Sequence, residues 1–485
     1  MSDFLVKDYQ TNKKKLDEMF HVDENFDLIN REFEMGGVKA CIYFVDGLCR
    51  DEILNRLMNF FMGLKPDSIP ATPQEMIEKL IPYGETSLVN EEEQTVHFIL
   101  AGVPCMLVDN YDQLIAVDFR TYPARGVEEP DKDKVMRGSK DGFVETLVFN
   151  TALIRRRIRS PELTMEIMSG GTSSKTDIAI CYMRDRVNHE FLNEIKNKIQ
   201  KLSIDALTMN QESLAECLYE RKWFNPFPKF RYSERPDAAA ASVLEGSIVI
   251  LVDNSPAAMI LPTTIFDVIE SADDYYFPPV TGTYLRLSRF LINIVTLLLT
   301  PTWLLLMNNP QWIPEWLSFI TVKEQVYVPL LLQLLILEFA VDGLRMASLN
   351  TPSMLSTPLS VIAGIVVGDY TVSSGWFNAE SMLYMAFVTI ANYSQTSFEL
   401  GYALKFMRLI LLILTGLFGI WGYVGGLIFV VLAIVLNKTI AGKSYIFPLL
   451  PLNWKQLRQR LFRVSLPASE NYDRMGNRKN KSGKQ

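Results

Sequence analysis

The chain has 485 residues, with 48 Lys and Arg against 55 Asp and Glu, so its formal net charge is −7. Its five cysteines lack metal-ligand spacing and its three histidines stand far apart, which excludes the common zinc and cysteine-nucleophile arrangements. We therefore expect no enzyme, no cofactor and no metal centre, and we expect the cysteines to be buried, reduced thiols.

The chain changes character near Leu285. Earlier residues are mixed in charge and begin without an apolar leader, as in a cytoplasmic region, whereas apolar segments dominate residues 287–436. The sequence predicts an α/β cytoplasmic N-terminal region of two small α/β subdomains, followed by an α-helical polytopic membrane domain of four to six helices. The predicted boundaries are residues 1–125 and 126–285 for the subdomains, 286–437 for the membrane domain, and 438–485 for a basic cytoplasmic tail.

The N-terminal region alternates short β-patterns with helical ones, as an α/β fold does. In the first subdomain we predict a helix at residues 51–63 and strands at residues 38–44, 95–100, 106–108 and 114–119. In the second subdomain we predict helices at residues 143–157, 189–201 and 238–245, a strand at residues 176–182, and a hairpin built from residues 247–253 and 257–262.

Two motifs in this region have competing interpretations. Residues 170–176 (GGTSSKT) lack the four-residue gap between glycines that a Walker phosphate loop needs, so they do not predict nucleotide binding. A basic run ends the predicted helix at residues 143–157 and comprises Arg155, Arg156, Arg157 and Arg159. It is either a solvated, salt-bridged face or a contact with another subunit or with lipid heads. Without interleaved aromatic residues it does not predict a nucleic-acid partner.

Residues 287–307 and 326–344 are long enough to cross a bilayer core as helices. The loop between them is poor in basic residues and rich in Trp, which places it outside, whereas Arg286 and Arg345 mark the inner ends. From Lys438 onward, eleven Lys and Arg stand against two acids, a pattern typical of a cytoplasmic tail that contacts anionic membrane lipid. Both termini are then cytoplasmic.

The remaining apolar segments are harder to assign. Residues 359–368 and 381–392 are each too short to cross alone, so they form either one tilted pair of helices or re-entrant segments buried in protein. Residues 409–436 are long for one span and contain five glycines. We predict that they form a hairpin that breaks near Gly422, with Lys405 marking the inner side before it.

Three ionisable residues in this half, Glu338, Asp342 and Arg345, have i, i+4 and i+7 spacing and share one helix face. Charges at membrane depth cost several kcal/mol unless they are paired or face water. One interpretation is an acid–arginine pair near the inner interface, for which we predict Asp342 with Arg345. The other is a charged lining for an ion path. Asp369 is expected at the wet end of the following Ser/Gly-rich segment.

Residues 360–375 (SVIAGIVVGDYTVSSG) combine small and β-branched side chains. Gly364 and Gly368 form a GxxxG pair, which allows close helix packing. In the other interpretation the segment lines a pore, and Val361, Ile365 and Val367 contribute a constriction that gates by dewetting. These five residues are the candidate pore lining.

Several segments of the chain resemble one known family in their order and spacing. They are residues 137–159 (RGSKDGFVETLVFNTALIRRRIR), 233–237 (SERPD), 244–253 (LEGSIVILVD), 273–276 (DDYY) and 360–368. Together they resemble the GerA-type A-subunit family of bacterial spore germinant receptors over nearly the whole chain. The family pattern is broken at residues 344–347 (LRMA), Asn350 and Asp369, which indicates a branch distinct from the nutrient-sensing subunits.

The resemblance implies a multi-pass protein of the spore inner membrane that assembles as a homo-oligomeric ring, a pentamer, and conducts ions. For this branch it implies an ion channel that amplifies ion release in response to germinant signalling. Two alternatives stay open: a germinant receptor A subunit, or a non-conducting scaffold, working with receptor subunits or other spore membrane proteins. A secondary transporter fits less well, because the chain has one Gly-rich interrupted region where two matching halves would need two.

Overall fold

The structure of the chain, a computed structural model, describes residues 4–123, 138–219, 224–323, 327–350, 364 and 370–463. These residues fold as two compact units. The N-terminal unit holds the described residues up to 219 together with Phe230–Pro262. The C-terminal unit holds residues 224–229 and the described residues from Thr263 onward.

Within its described residues, the N-terminal unit contains two five-stranded antiparallel sheets with helices between the strands, which confirms the predicted α/β class. Its first part contains α1 (Tyr9–Phe20), β1 (Leu28–Met35), β2 (Val38–Val45), α2 (Asp51–Met62), α3 (Pro73–Lys79), β3 (Thr86–Val89), α4 (Glu92–Leu100), β4 (Cys105–Val108) and β5 (Leu114–Val117). Its second part contains α5 (Leu147–Arg157), β6 (Leu163–Gly170), β7 (Thr176–Met183), α6 (His189–Gln200), α7 (Gln211–Leu218), β8 (Arg231–Ser233), α8 (Pro236–Leu244), β9 (Ile248–Val252) and β10 (Ala258–Leu261).

The two sheets repeat one topology. The strand order is β1-β2-β4-β5-β3 in the first sheet and β6-β7-β9-β10-β8 in the second, and the helices fall at the same places along the chain. The turn after β4 and the turn after β9 share the sequence LVDN, at residues 107–110 and 251–254. Asn110 and Asn254 both adopt a positive φ there, 65° and 60°, as Asn tolerates in tight turns. The N-terminal unit is therefore built from two copies of one α/β subdomain.

A buried asparagine marks the first helix of each copy. The side chain of Asn12 in α1 accepts a hydrogen bond from Val6 N at 3.0 Å and donates one to the Val6 carbonyl. Asn150 in α5 bonds Val144 in the same way, with Val144 N 2.8 Å from its Oδ1. Both side chains are at least 98% excluded from solvent. Each one satisfies the backbone groups of the segment that enters its helix.

One predicted strand is wrong. Residues 95–100 form the end of the helix α4 rather than a strand. A short apolar run fits a buried strand and a buried helix equally well, and here Glu92 and Glu93 favour a helix because acids in the first turn complement the helix dipole. The other predicted strands and helices of this region lie within a few residues of the observed ones. Four of the five cysteines are buried and all five are free thiols.

The C-terminal unit is helical. Its main helices are α9 (Ile265–Ile269), α10 (Asp273–Tyr276), α11 (Pro279–Asn308), α12 (Leu330–Asn350), α13 (Ala379–Tyr393), α14 (Phe398–Val435) and α15 (Trp454–Leu461), with short helical turns at Pro310–Trp312, Glu315–Ile320 and Thr371–Ser373. Among the described residues, α11 and α14 are long and apolar enough to cross a membrane, by length and composition. The total of four to six spans stays a prediction.

The longest helix, α14, is interrupted at Gly419. The φ of 58° and ψ of −132° at this residue lie outside the helical region and suit glycine. The interruption divides α14 into a first arm, residues 398–418, and a second arm, residues 420–435. The break lies three residues before Gly422, where the sequence predicts it.

The two arms fold back on each other as a hairpin. A methyl group on Gly422 would overlap the carbonyl oxygen of Leu414, and one on Gly426 would lie 2.7 Å from a methyl carbon of Leu411. In one straight helix these pairs would be about 12 and 22 Å apart along the axis. The glycines therefore permit the close approach of the arms, and the predicted hairpin is confirmed.

Candidate functional site

Four charged side chains meet inside the C-terminal unit. Glu338 and Asp342 lie one turn apart on α12, and Lys405 and Arg408 lie one turn apart on the first arm of α14. Lys405 Nζ lies 2.5 Å from Asp342 Oδ2 and 3.4 Å from Glu338 Oε2. Arg408 Nε donates to Glu338 Oε1 at 2.6 Å. We name these four residues the buried charge cluster.

The cluster also binds backbone of a third helix. Arg408 Nη1 donates to the carbonyl of Thr296, on α11, at 2.7 Å. Lys405 Nζ donates to the carbonyl of Glu338 at 3.1 Å. The cluster thus joins α11, α12 and the first arm of α14 through directional bonds, where apolar packing alone would leave the helices free to slide.

Three of the four side chains are nearly inaccessible to solvent. Glu338, Lys405 and Arg408 are 3%, 4% and 2% exposed, whereas the Asp342 side chain keeps 30% of its exposure. Two acids and two bases leave the cluster formally neutral, which offsets the desolvation of its members. Removing one of the three buried members would leave an opposite charge buried with fewer partners, a loss of about 3–5 kcal/mol in typical cases. The cluster is therefore fixed in place, with one edge, Asp342, at the surface.

The predicted partner of Asp342 is wrong. Asp342 pairs with Lys405, while the guanidinium of Arg345 lies over three aromatic rings, those of Tyr393, Phe398 and Tyr402, at 4.7–5.5 Å. Spacing along α12 places Asp342 and Arg345 on one face, but a cation from α14 competes successfully for the carboxylate. The rings stabilise Arg345 through cation–π contacts and join α12 to α13 and α14.

Lys405 and Arg408 have a structural role that the sequence prediction does not include. The topology prediction uses Lys405 only as a marker of the inner side, whereas the structure buries both side chains against α12. Sequence reasoning missed them as site residues because their acidic partners lie 63–70 positions earlier in the chain. Two basic residues at i and i+3 inside an apolar run were the available signal, since such residues must find buried partners.

The candidate pore lining lies mostly outside the described residues. Of its five members only Gly364 is described, and a methyl group added there would meet no atom of the described residues within 4 Å. Val361, Ile365, Val367, Gly368 and the neighbouring Asp369 fall outside the described ranges. Their proposed roles stay predictions.

The segments on either side of this region are tied to each other. Gln333, on α12, is 1% exposed. Its Oε1 accepts hydrogen bonds from Asn378 N and from Ser381 Oγ, both at 2.9 Å, at the start of α13. The buried charge cluster and the Gln333 bonds thus fix the helix before residues 351–369 and the helix after them in one frame.

A second ion network surrounds the beginning of α11. Arg286 contacts Glu270 at 3.0 Å and Asp274 at 3.3 Å, and Arg289 contacts Asp274 at 2.5 Å. Arg460, on α15, also contacts Glu270, at 3.2 Å. The sequence identifies Arg286 only as a topology marker, because its partners come from α9, α10 and the end of the chain. The network fixes α15 to the polar end of α11.

The N-terminal unit has an open polar cleft at the edge of its second sheet. Lining residues include Glu24, Glu166, Tyr182, His189 and Lys196. Lys196 Nζ lies 2.5 Å from Glu166 Oε1, and Tyr182 also donates to that carboxylate. Burial, together with the hydrogen bond to Glu166 and its negative charge, raises the pKa of Tyr182 above its ordinary value. The described residues contain no group of three or more His, Cys, Asp or Glu that could hold a metal ion.

Comparison with known proteins covers nearly all of the chain. The model of the family described as Bacillus/Clostridium GerA spore germination protein matches residues 14–475. Stage V sporulation protein AF of Bacillus subtilis (strain 168) is 35% identical over 434 residues, which are 88% of this chain and 87% of that protein. Spore germination protein KA of the same strain is 26% identical over 478 residues, 97% of this chain and 86% of that protein.

The two relatives differ in similarity as the sequence motifs predict. Residues 43–47 (YFVDG) and 276–279 (YFPP) predict a resemblance to stage V sporulation protein AF. That protein has the higher identity of the two relatives. Among solved structures, the N-terminal domain of the A subunit of the Bacillus megaterium spore germinant receptor GerK3 is 22% identical, with a TM-score of 0.41. It covers 53% of this chain and 96% of that one.

Proposed function

The chain belongs to the Bacillus/Clostridium GerA spore germination protein family, and from this premise we propose that it forms a homo-oligomeric ion channel in the spore inner membrane. The channel amplifies ion release in response to germinant signalling, as the resemblance of the sequence implies. The proposal includes a pentameric ring, several membrane passes and cytoplasmic N- and C-termini. Ion conduction, the ring and the topology are all parts of this proposal.

The proposal rests on one observation: the helices before and after residues 351–369 are fixed to each other. The buried charge cluster holds α12 before this region, and Gln333 ties α12 to the start of α13 after it. A channel needs a rigid wall that positions its narrowest part, because a constriction that shifts by an ångström changes its barrier to ions. Directional, buried bonds supply that rigidity better than apolar contacts between smooth helices.

The composition of the framed region supports a hydrophobic gate. Val361, Ile365 and Val367 are apolar but not bulky, and Gly364 and Gly368 remove side chains altogether. A narrow apolar ring excludes water and ions until it widens or becomes polar. A valine-to-threonine substitution changes polarity with little change in shape, so it tests the gate without removing volume.

The proposal is tested by ion flux from liposomes that contain the purified full-length protein. We expect measurable flux with the natural chain and a larger flux with Val361→Thr or Val367→Thr. Val431→Thr is the matched control, because Val431 is 49% exposed on the second arm of α14 and is not a member of the candidate pore lining. The oligomer mass is measured in detergent on the same sample.

Two results would contradict the channel. The first is an absence of flux from a ring-sized oligomer in which all three variants behave like the natural chain. The second is a monomer or dimer without flux, which would favour a scaffold that needs partner subunits. An equal rise in flux with Val431→Thr would show general leakiness and would remove the candidate pore lining from the mechanism.

A second candidate function is a germinant receptor A subunit, and the polar cleft of the N-terminal unit favours it. The cleft offers a carboxylate, a phenol, an imidazole and an ammonium group, a set that suits a small zwitterionic or polyhydroxy molecule. Thermal stabilisation of the natural protein by such compounds, lost in Lys196→Met, would support this function. Unchanged stability across a panel of amino acids and sugars would count against it.

A further inference from the structure

An exposed apolar segment leads into α15 and ends at its first residue, Trp454. Seven consecutive residues, 449–455, are exposed, and four of them are large and apolar. Leu449, Leu450, Leu452 and Trp454 are 45%, 47%, 53% and 72% exposed. We name residues 449–454 the Leu–Trp loop. Contact between a contiguous apolar surface and water is unfavourable, so exposed apolar side chains in sequence mark an interaction surface.

Basic residues adjoin the loop on α15. Lys455 and Arg458 are exposed, whereas Leu457 on the other side of the helix is buried. The surface therefore combines apolar side chains, a Trp ring and two cations within ten residues. Trp favours the layer between hydrocarbon and water, and Lys and Arg favour anionic headgroups. This pairing of properties matches a bilayer surface better than a protein groove.

The Leu–Trp loop has a defined position relative to the candidate span α11. Arg286 Nη1 donates to the carbonyls of Gln459 and Arg460 at 3.1 and 3.0 Å. The long uncharged run of α11 begins about one turn later, at Phe290. The end of α15 is therefore held at the level where α11 passes from polar to apolar surroundings.

The hold on α15 is strong enough to fix its direction. Arg460 contacts Asp267 at 2.6 Å and Glu270 at 3.2 Å and is only 5% exposed. The backbone N–H of Arg463, which follows α15, donates a hydrogen bond to Thr283 Oγ1 on α11 at 3.1 Å. These bonds hold α15 in place and leave the Leu–Trp loop, Lys455 and Arg458 exposed.

We infer that the Leu–Trp loop, with Lys455 and Arg458, docks on the surface of an anionic phospholipid bilayer. The leucines and Trp454 enter the interfacial layer, and the two cations contact lipid phosphates. The surface shares no residue with the candidate pore lining, and the inference rests on the proposed function only in that α11 lies in the membrane.

The test is the depth of a spin label at Leu450→Cys in the full-length protein. The protein carries Cys217→Ser, because Cys217 is partly exposed whereas the other four native thiols are buried, and it is placed in vesicles of phosphatidylcholine with or without phosphatidylglycerol. Collision with oxygen reports hydrocarbon, and collision with a water-soluble nickel chelate reports water. Leu291→Cys on α11 and Met209→Cys in the N-terminal unit, 62% and 71% exposed, are the references.

We expect the label at position 450 to collide with oxygen more than the label at position 209, and with nickel less, when phosphatidylglycerol is present. Pure phosphatidylcholine, or the double variant Lys455→Glu and Arg458→Glu, should shift the label at position 450 towards water. Each basic residue at an anionic surface contributes about a fivefold change in such an equilibrium, so two reversals give a large shift.

Other outcomes would overturn the inference. Nickel access equal to that at position 209 would show an aqueous loop, and protection from both reagents would show a protein contact. Equal depth in the two vesicle types would remove the requirement for anionic lipid. When the label at position 450 gives one of these results, the label at position 291 separates the two proposals. If position 291 also reports water, the membrane topology of the proposed function fails; if position 291 reports lipid, only the docking surface fails.

Discussion

Arg155 in the N-terminal unit and Arg408 in the C-terminal unit are bound in similar ways. Their exposed fractions are 0% and 2%. Arg155 Nε donates to Asp27 at 2.7 Å and its Nη1 donates to the carbonyl of Leu163 at 3.0 Å. Arg408 likewise binds one carboxylate, that of Glu338, and one carbonyl. Each arginine joins segments that are distant in sequence.

The surroundings of the two arginines differ in one respect. Asp27 is 1% exposed. The remaining partner of the Arg155 guanidinium is neutral, since Arg155 Nη2 donates to Asn25 Oδ1 at 3.2 Å. Glu338, in contrast, has a second cation, Lys405, which also reaches the partly exposed Asp342. The first arrangement is a closed pair that links the two copies of the α/β subdomain. The second contains two cations that both contact Glu338, so this acid keeps a partner of opposite charge when Arg408 is lost.

The largest expected effect is that of Arg155→Met. Asp27 would be left buried without its cation, so we expect a loss of about 3–5 kcal/mol in the free energy of unfolding of the N-terminal unit. Hydrogen exchange of the full-length protein in detergent, read separately for the two units, measures it. Arg31→Met is the matched control because Arg31 is exposed on β1. A loss no greater than that of the control would mean that the closed pair contributes little.

A smaller loss is expected for Arg408→Met. Glu338 would keep Lys405 as a cation at 3.4 Å, so the loss in the C-terminal unit should fall at the low end, about 3 kcal/mol. The double variant Glu338→Met and Arg408→Met should lose less than the two single changes added together, because no charge is stranded. A loss larger than that of Arg155→Met would contradict the idea that redundancy protects the cluster.

The sequence predicted the fold class and most elements of the N-terminal unit because their hydrophobic patterns are local. It missed the duplication, although LVDN occurs at residues 107–110 and again at 251–254 with the same turn after it. A search for repeats would have found this signal. The strand predicted at residues 95–100 failed because a six-residue apolar run has no period long enough to separate a helix from a strand.

The candidate site was predictable only in part. The acids Glu338 and Asp342 stand out in an apolar helix, and the sequence identifies both. Their cations, Lys405 and Arg408, depend on which helices pack together, and spacing along one helix carries no information on that. The sequence therefore offered Arg345 as the local partner, whereas the structure gives Arg345 to aromatic rings.

Substitutions at Asn12 and Asn150 measure how much buried hydrogen bonds stabilise the N-terminal unit without any change in charge. Asn12→Ala or Asn150→Ala would leave a buried backbone N–H and carbonyl without their side-chain partner, at a cost of about 1–3 kcal/mol. Because the two copies use the same bonds, we expect similar losses, each confined to its own copy in hydrogen exchange. Losses that match that of Arg155→Met would show that burial, rather than charge, sets the strength of the closed pair.

The smallest effect on stability is expected for Asp342→Asn, and it decides between the two interpretations of the cluster. Asp342 keeps 30% of its side-chain exposure, so its pair with Lys405 is solvent-screened and contributes less than about 1 kcal/mol. The substitution leaves the cluster with a net charge of +1 at its surface edge. If that edge lines an ion path, cation flux in liposomes falls while stability is kept. If the cluster only holds α12, flux is unchanged, and the charged-lining interpretation is wrong even for a protein that conducts.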